Sequence, residues 1–155
     1  MKSGFLALGL GVLMSTSAFA GGCPADKVLK AARKLDNVTD GSKVKDEVVQ
    51  TVDPAGWRGV NGLMMRTRRL SIEPGGLVPT HSHADRPAII YVISGEIFEH
   101  NSLCSVPIAH KAGEATAEFG DLQHWWENKG TVPVVLISSD LVPVEMMKDP
   151  MAKMP

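Results

Sequence analysis

The chain has 155 residues, of which 44% are hydrophobic and 21% are charged, and this is enough for one domain with its own core. Its formal net charge is −1, which becomes −2 if Lys2 is removed with the leader described next. This balance gives no general attraction for nucleic acid or for an anionic membrane, so neither is an expected partner.

Residues 1–20 have the features of a secretory signal peptide. A single charge at Lys2 precedes an apolar run from Phe5 to Met14, and Ala18-Phe19-Ala20 matches the pattern of a signal peptidase site. The apolar run is shorter than the roughly 18 to 20 residues that span a bilayer. We therefore expect a mature chain that begins at Gly21, is periplasmic or secreted, and has no membrane contact after cleavage.

The two cysteines, Cys23 and Cys104, predict one disulfide in an exported protein. Such a bond would tie the start of the mature chain to the rest of the fold. Two alternatives stay open. Both thiols are free, or Cys23 carries a lipid, although Ala20-Gly21-Gly22 lacks the leucine that usually stands three positions before a lipidated cysteine.

Residues 21–55 are interpreted as an N-terminal arm. Val28, Leu29, Ala32 and Leu35 recur with helical spacing, which predicts a short helix of about three turns. A polar turn segment follows, and then a short β-rich run at 47–52. The arm is expected to be an appendage of the main domain.

Residues 56–142 predict an all-β domain. Runs rich in β-branched and aromatic residues recur about every eight to twelve positions between glycine, proline and asparagine, a pattern typical of a sandwich or barrel. The expected strands lie at 61–73, 79–83, 88–93, 96–100, 106–110, 114–119, 123–127 and 132–138. Residues 143–155 are rich in methionine and in breakers and are expected to form a C-terminal tail.

Three arginines, Arg66, Arg68 and Arg69, lie in the first of these runs. Arg66 and Arg68 share the parity of Leu70 and Ile72, so the faces do not alternate cleanly and a bulge is expected. We interpret the arginines as part of a solvated strand face, because charged groups are rarely buried. The alternative is that one of them reaches into the barrel to hold an anionic substrate.

The most informative stretch contains His81 and His83. Alternation along a strand places both imidazoles on one face, with Cα atoms roughly 6.5 to 7 Å apart, so both can bind one metal ion. A divalent transition metal usually takes three or four protein ligands. His124, in another strand-like run, is the best candidate for the third. We interpret His100 and His110 as surface residues.

These residues resemble the two motifs of the cupin superfamily, G-x5-H-x-H-x(3,4)-E-x6-G and G-x5-P-x-G-x2-H-x3-N. The resemblance covers about residues 69–141. The matching positions in this chain are Gly75, His81, His83, Gly95, Gly113, His124 and Asn128. It implies a single-domain cupin-type jelly-roll barrel whose histidines point inward, with the short helical arm before it, and a homodimer as the expected assembly.

Three positions depart from the motifs. Ala88 replaces the metal-binding glutamate of the first motif, whereas Phe119 and Asp121 replace the proline and glycine of the second and alter only a turn. Two carboxylates are candidates to replace the missing ligand. Glu118 precedes that turn and is the better candidate, while Asp85 is expected at the surface or behind the ligands.

Two further residues are candidates for the pocket around the site. Alternation places Trp126 on the face of His124, where it would either form a wall of the pocket or pack in the core. Arg86 follows the histidine pair, and it would either clamp a carboxylate at the mouth of the barrel or remain solvated.

Three imidazoles suit iron, copper, nickel or zinc. The resemblance to cupin thiol dioxygenases and related non-haem iron oxygenases implies a divalent transition metal and a small anionic substrate. Iron fits an oxygenase best, with zinc, manganese, nickel and copper as alternatives. A second hypothesis is a non-catalytic exported module that binds a metal or a small molecule in the same barrel. A third is a structural protein with an empty barrel.

Overall fold

The structure is a computed structural model that describes residues 22–36 and 38–147. The predicted signal peptide and the last residues of the predicted tail, 148–155, lie outside the described residues. In the described part, two 3-10 turns (Ala25–Lys27 and Trp57–Gly59) and one helical turn, α1 (Val144–Met147), accompany the strands. The strands are β1 (Ser42–Val52), β2 (Leu63–Ser94), β3 (Glu96–Asn101), β4 (Ile108–Lys111), β5 (Ala115–Glu127) and β6 (Val134–Pro143).

The long strand β2 closes the fold, because both of its ends pair with the same neighbour. Its first part, 63–72, and its last part, 88–94, pair antiparallel with β6, and its middle part pairs with β5. β5 bends at Gly120, which has a φ of 67°, and so pairs with two separate parts of β2. β3 and β4 continue the sheet beyond β5, and β1 lines the other edge of β2. The predicted all-β cupin-type barrel is confirmed.

The core fills the barrel with the inward-facing residues of these strands. Along the end of β2, Ile90 and Val92 face the core and are 7% and 1% exposed. Ile89 faces outward and is 59% exposed. Full burial of each large apolar side chain contributes roughly 1.5 to 3 kcal/mol. The core cluster consists of Leu70, Ile72, Val78, Ala88, Ile90, Val92, Ile97, Trp126, Val134 and Leu136.

The N-terminal segment has less helix than its sequence spacing predicts. The helical part is limited to the 3-10 turn Ala25–Lys27, and Val28 then forms an isolated bridge with Cys104. The backbone N–H of Leu29 donates to the carbonyl of Leu103. The segment therefore satisfies its backbone against the loop after β3 rather than within a helix of its own.

Cys23 and Cys104 form a disulfide that closes a sequence separation of 81 residues. In the chain-entropy model a loop of this length contributes about 4 to 5 kcal/mol to stability. Because the Cys23 sulfur is bonded to Cys104, it is not available for the lipid considered above. The sheet itself begins at β1, inside the range 21–55 that was assigned to the arm, since β1 pairs with β2 along most of its length.

Nothing within residues 22–36 and 38–147 combines the length and the apolar character that a membrane-crossing helix requires.

Candidate metal centre

Three histidines and one glutamate meet inside the barrel where β2 and β5 pair. His81 of β2 lies opposite His124 of β5 in the strand register. One ligand atom from each of four side chains lies within 4.8 Å of the others, and we call this set the metal centre: His81, His83, Glu118 and His124. Of these, His124 is 0% exposed, and His83 and Glu118 are each 2% exposed.

Each of the three imidazoles is oriented by a hydrogen bond at its Nδ1 atom. The partners are the carbonyl of Pro79 for His81 (2.8 Å), the carbonyl of Arg86 for His83 (2.7 Å) and Glu99 Oε1 for His124 (2.8 Å). Carbonyl and carboxylate oxygens only accept, so each Nδ1 carries the proton. All three Nε2 atoms consequently present a lone pair, which is the form of imidazole that binds a metal.

The Nε2 atoms and the carboxylate converge without satisfying one another. His124 Nε2 lies 3.0 Å from His81 Nε2, and His83 Nε2 lies 3.0 Å from Glu118 Oε2. His83 Nε2 and Glu118 Oε1 are buried with no hydrogen-bond partner among the described residues. Unsatisfied buried groups of this kind cost about 1 to 3 kcal/mol each. A cation bound between them would remove this cost, and three imidazoles with one carboxylate fit a divalent transition metal.

The carboxylate of the metal centre belongs to β5, the strand that pairs with β2 at Ala88, where the first motif has its glutamate. Ala88 on β2 is the Cα partner of Glu118 on β5 in the antiparallel register. Both side chains face the interior, with 6% and 2% exposure. Glu118 of the paired strand therefore places a carboxylate at nearly the position where the first motif has its glutamate.

The surroundings shift the pKa values of His81 and His124 in opposite directions. Burial lowers the pKa of His81 well below its usual range, and the neighbouring His124 lowers it further, so the neutral form of His81 is favoured. Burial also lowers the pKa of His124, but the carboxylates of Glu118 and Glu99 outweigh burial and raise it. The carboxylates of Glu118 and Glu99 therefore favour a cation next to His124.

A second layer of buried polar residues supports His124. Glu99 is 2% exposed, and its Oε2 lies 2.9 Å from His110 Nε2. Asn101 Nδ2 donates to its Oε1, the oxygen that contacts His124, at 2.8 Å. His110 is 1% exposed, so the prediction that it is a surface residue is wrong. Alternation along β3 and β4 was the available signal, because it places Glu99 beside Ile97 and His110 beside Ile108 on the interior face.

A cavity of about 30 Å³ adjoins the centre, room for one or two water-sized molecules. Trp126 lines it and is 4% exposed, with its ring edge-on to His124 at 5.6 Å between centroids. Trp125 faces the other way and stacks on His100. The complete lining is Arg68, Leu70, Val78, His81, His83, Ile90, Glu118, Trp126, Leu136 and Ser138.

The interior also holds charged residues next to this cavity. Arg66 and Arg68 are 3% and 6% exposed, so the prediction of a solvated face is wrong for both, while Arg69 is exposed. The physical reason is that inward-facing carboxylates from other strands neutralise them. We call the following residues the arginine cluster: Arg66, Arg68, Arg86, Asp46 and Asp140.

Two of the arginines are firmly paired. Arg66 binds both oxygens of Asp140, at 3.1 and 2.6 Å. Arg68 donates to Asp46 at 2.6 Å and to Ser138 at 3.3 Å. Charge-assisted bonds of this length are among the strongest that side chains make.

Arg86 is placed differently. Its side chain is buried, with 5% of the residue exposed, so the solvated alternative is wrong. Its Nε lies 3.8 Å from Asp140 Oδ2 and has no hydrogen-bond partner among the described residues. Burial lowers the pKa of Arg86, and the charge of Arg68 lowers it further. Asp85, the other candidate carboxylate, is exposed and lies outside the metal centre.

Comparisons with known proteins agree with this geometry. A family model described as Cupin domain matches residues 68–140. Germin-like protein subfamily 2 member 1 from Arabidopsis thaliana is 30% identical over 110 residues, covering 68% of this chain and 47% of that protein. Nectarin-1 from Nicotiana langsdorffii x Nicotiana sanderae is 32% identical over 97 residues, covering 59% and 42%. The chain thus spans less than half the length of these relatives.

Solved structures share the fold. A predicted oxalate decarboxylase from Thermotoga maritima superposes with a TM-score of 0.54 at 18% identity, covering 78% of this chain and 98% of that one. The Schizosaccharomyces pombe Cnp3 cupin domain superposes with a TM-score of 0.54 at 12% identity, covering 73% of each chain. The barrel, the two histidine motifs and the family match together show that this chain belongs to the cupin superfamily.

Proposed function

We propose that this chain is an exported, metal-dependent cupin in which His81, His83, Glu118 and His124 hold one divalent transition metal ion. The observation that carries the proposal is the convergence of three oriented Nε2 lone pairs and a buried carboxylate within 4.8 Å. Export is supported by the disulfide, which requires an oxidising compartment such as the periplasm or the extracellular space.

We propose further that the loaded site is a non-haem oxidoreductase, of the dioxygenase type, that acts on a small anionic substrate. A metal held by this donor set would supply Lewis-acid and redox chemistry at its open coordination positions, with iron the best match and zinc, manganese, nickel or copper as alternatives. The residues of the chain confine the substrate. The cavity of about 30 Å³ admits only a small molecule, and its largely apolar wall excludes bulk water.

A second candidate function is a non-catalytic site for a metal or small molecule in the same barrel. One observation favours it: Glu118 is the only carboxylate that lines the cavity of the described structure, and the metal would engage it. A separate general base therefore does not face the ligand.

Elemental analysis and turnover test these proposals in order. Protein purified from its own export compartment without chelators is expected to hold one metal ion per chain, and His81→Ala is expected to lose it. His100→Ala is the matched control, because His100 stacks on Trp125 away from the metal centre. Absence of stoichiometric metal in the wild type would refute the metal site and leave the empty structural barrel.

Turnover then separates the two functions. Metal-loaded protein is expected to consume dioxygen with at least one member of a panel of small carboxylates, thiols, enols and diketones. If a loaded protein consumes neither dioxygen nor any substrate of the panel, the binding function replaces the enzymatic one. A homodimer remains the expected assembly, and its measurement is independent of both results.

A further inference from the structure

The outer side of the barrel carries a row of exposed apolar and aromatic residues. Ile89, Tyr91 and Ile93 occupy consecutive outward positions at the end of β2 and are 59%, 45% and 48% exposed. A single exposed apolar residue is ordinary, whereas a contiguous exposed row marks a surface that interacts with something. The row is unfavourable in water, because about half of each large side chain stays hydrated.

The strands on either side extend this row into a face. Register pairs give the strand order across it as β1, the start of β2, β6, the end of β2 and β5. Val52 and Phe119, on the two outermost of these strands, are 54% and 68% exposed, and Met65 is 51% exposed. A groove of about 500 Å³ lies along them. We call the following residues the apolar face: Val52, Met65, Ile89, Tyr91, Ile93 and Phe119.

The middle of this surface carries no charge. The outward positions at 87–93, 115–119 and 135–141 hold apolar side chains, one tyrosine and one serine, and none of these described positions is charged. A surface that binds an anionic membrane presents lysine and arginine, and a surface for a charged partner presents the opposite charge. A charge-free surface, in contrast, can pack against its own copy without like-charge repulsion.

The size of the surface fits a stable homodimer. Because its five strands lie about 4.8 Å apart and residues 87–93 rise about 3.3 Å each, it spans roughly 24 by 23 Å, or about 550 Å² as a flat area. The largest apolar patch of an ordinary monomer covers about 300 to 600 Å², and a stable interface buries about 800 Å² of accessible surface on each partner. The relief of the side chains raises the accessible area above the flat area and toward the second value.

We infer that the apolar face is the contact surface between two copies of this chain, which pack face to face about a two-fold axis. The expected homodimer thereby receives a defined surface. The inference goes beyond the proposed function and needs no metal ligand, since Ile89 faces outward while its neighbour Ala88 is 6% exposed and faces the barrel interior. In a two-fold contact each residue of the face is used twice, so one substitution changes the contact at two places.

Sedimentation velocity of the full-length mature protein from about 1 to about 100 μM tests the inference, because dimerisation depends on concentration. We expect the wild type to be a dimer at the upper end. Ile89→Lys places two ammonium groups in the contact and is expected to weaken dimerisation at least about 100-fold. Val28→Lys is the matched control, because Val28 is 56% exposed and lies in the N-terminal segment beside Cys104, outside the apolar face. The control is expected to remain a dimer.

A chemical probe reads the same contact in the wild type without any substitution. Tyr91 is the single tyrosine of the chain, so nitration by tetranitromethane reports the exposure of this one position. We expect nitration to be about 10-fold slower at a concentration that forms the dimer than after dilution to the monomer, because the partner excludes the reagent. Equal rates at the two concentrations would place Tyr91 outside the contact and overturn the inference.

The remaining outcomes separate this inference from the proposed function. A wild type that is monomeric over the whole concentration range refutes the inference and leaves the face to another molecule. A folded Ile89→Lys variant that stays dimeric shows that the copies associate through a different surface, which also refutes it. Both measurements are made on metal-free and on zinc-loaded protein, so failure of the metal site leaves this test intact.

Discussion

The metal centre and the pair Arg66–Asp140 of the arginine cluster are both buried sets of polar side chains, yet their hydrogen bonds are completed differently. In the metal centre each ring is oriented by a hydrogen bond at Nδ1, and His83 Nε2 and Glu118 Oε1, which face the inside of the site, have no hydrogen-bond partner among the described residues. In the arginine cluster Arg66 and Asp140 satisfy each other directly. The difference teaches that oriented but unsatisfied atoms mark a site for a ligand, while mutually satisfied charges mark a structural support.

The largest expected effect comes from breaking the structural support. Arg66→Met leaves Asp140 buried without its bidentate partner, and removal of one member of a buried pair typically costs about 3 to 5 kcal/mol. Chemical denaturation of the disulfide-intact protein measures this loss. The exposed Arg69→Met variant is expected to change stability by less than about 0.5 kcal/mol. A loss as small as that of the control would show that the pair contributes little.

The second prediction concerns acid unfolding and the contribution of Glu99, which lies behind the metal ligand His124. Burial raises the pKa of Glu99, but hydrogen bonds from His110 and His124 outweigh burial and lower the pKa to about 2, from its usual 4.5. Because the folded pKa is depressed, the contribution of Glu99 is complete above pH 4.5 and is lost as the pH falls toward 2. The loss amounts to about 3 kcal/mol by linkage. Metal-free Glu99→Gln is expected to lack this part of the pH slope, and an unchanged slope would contradict it.

Transfer of the carboxylate from position 118 to position 88 tests whether Glu118 is a metal ligand. Glu118→Ala is expected to weaken metal binding about 100-fold, or about 2.7 kcal/mol, because one ligand charge is lost. The metal-free variant is not expected to lose stability, since the substitution removes a buried carboxylate oxygen that has no hydrogen-bond partner in the described part of the chain. Adding Ala88→Glu to this variant is expected to restore metal affinity, because positions 88 and 118 are register partners.

Competitive chelator titration measures these affinities, and Glu47→Ala, at an exposed position of β1, is the control. A double variant that binds metal no better than Glu118→Ala would show that the two positions are not equivalent.

The smallest expected effect concerns the residue behind His124. Glu99→Gln removes the charge that accepts the Nδ1 proton and is expected to lower metal affinity about 10- to 100-fold. Glu127→Gln is the matched control, because Glu127 makes an equivalent contact to His100 outside the metal centre. Equal losses in the two variants would assign the effect to general destabilisation instead of to orientation of the ligand.

The sequence was sufficient for His81 and His83 because their spacing is local. His81 and His83 are separated by one residue, and alternation alone places both on one face. The recurrence of short strands between turn residues predicted the barrel in the same way, since it reflects the period of each strand. The helical spacing near Val28 misled because the segment binds the loop at Leu103 and the disulfide holds it there.

The alternation along β2 also indicates where Arg66 and Arg68 lie. Arg66 and Arg68 share the inward parity of Leu70 and Ile72, and the structure places all four inside. The general rarity of buried charge argued against this placement. That argument fails here because Asp140 and Asp46, which lie on other strands, form ion pairs with Arg66 and Arg68. The local sequence does not reveal these pairs.

The amino-acid sequence by itself determined the strand pattern, the pair His81 and His83 and the absence of the usual carboxylate at Ala88, because each depends on the spacing of residues close together in the chain, whereas His124 was predicted from its place in the second motif. Only the tertiary structure decided that Glu118 puts a carboxylate beside Ala88, that Glu99 and His110 lie behind His124, and that Arg66, Arg68 and Arg86 are buried. These relations depend on the register between β2, β5 and β6. Register is set by packing of the whole barrel, and no single stretch of sequence specifies it.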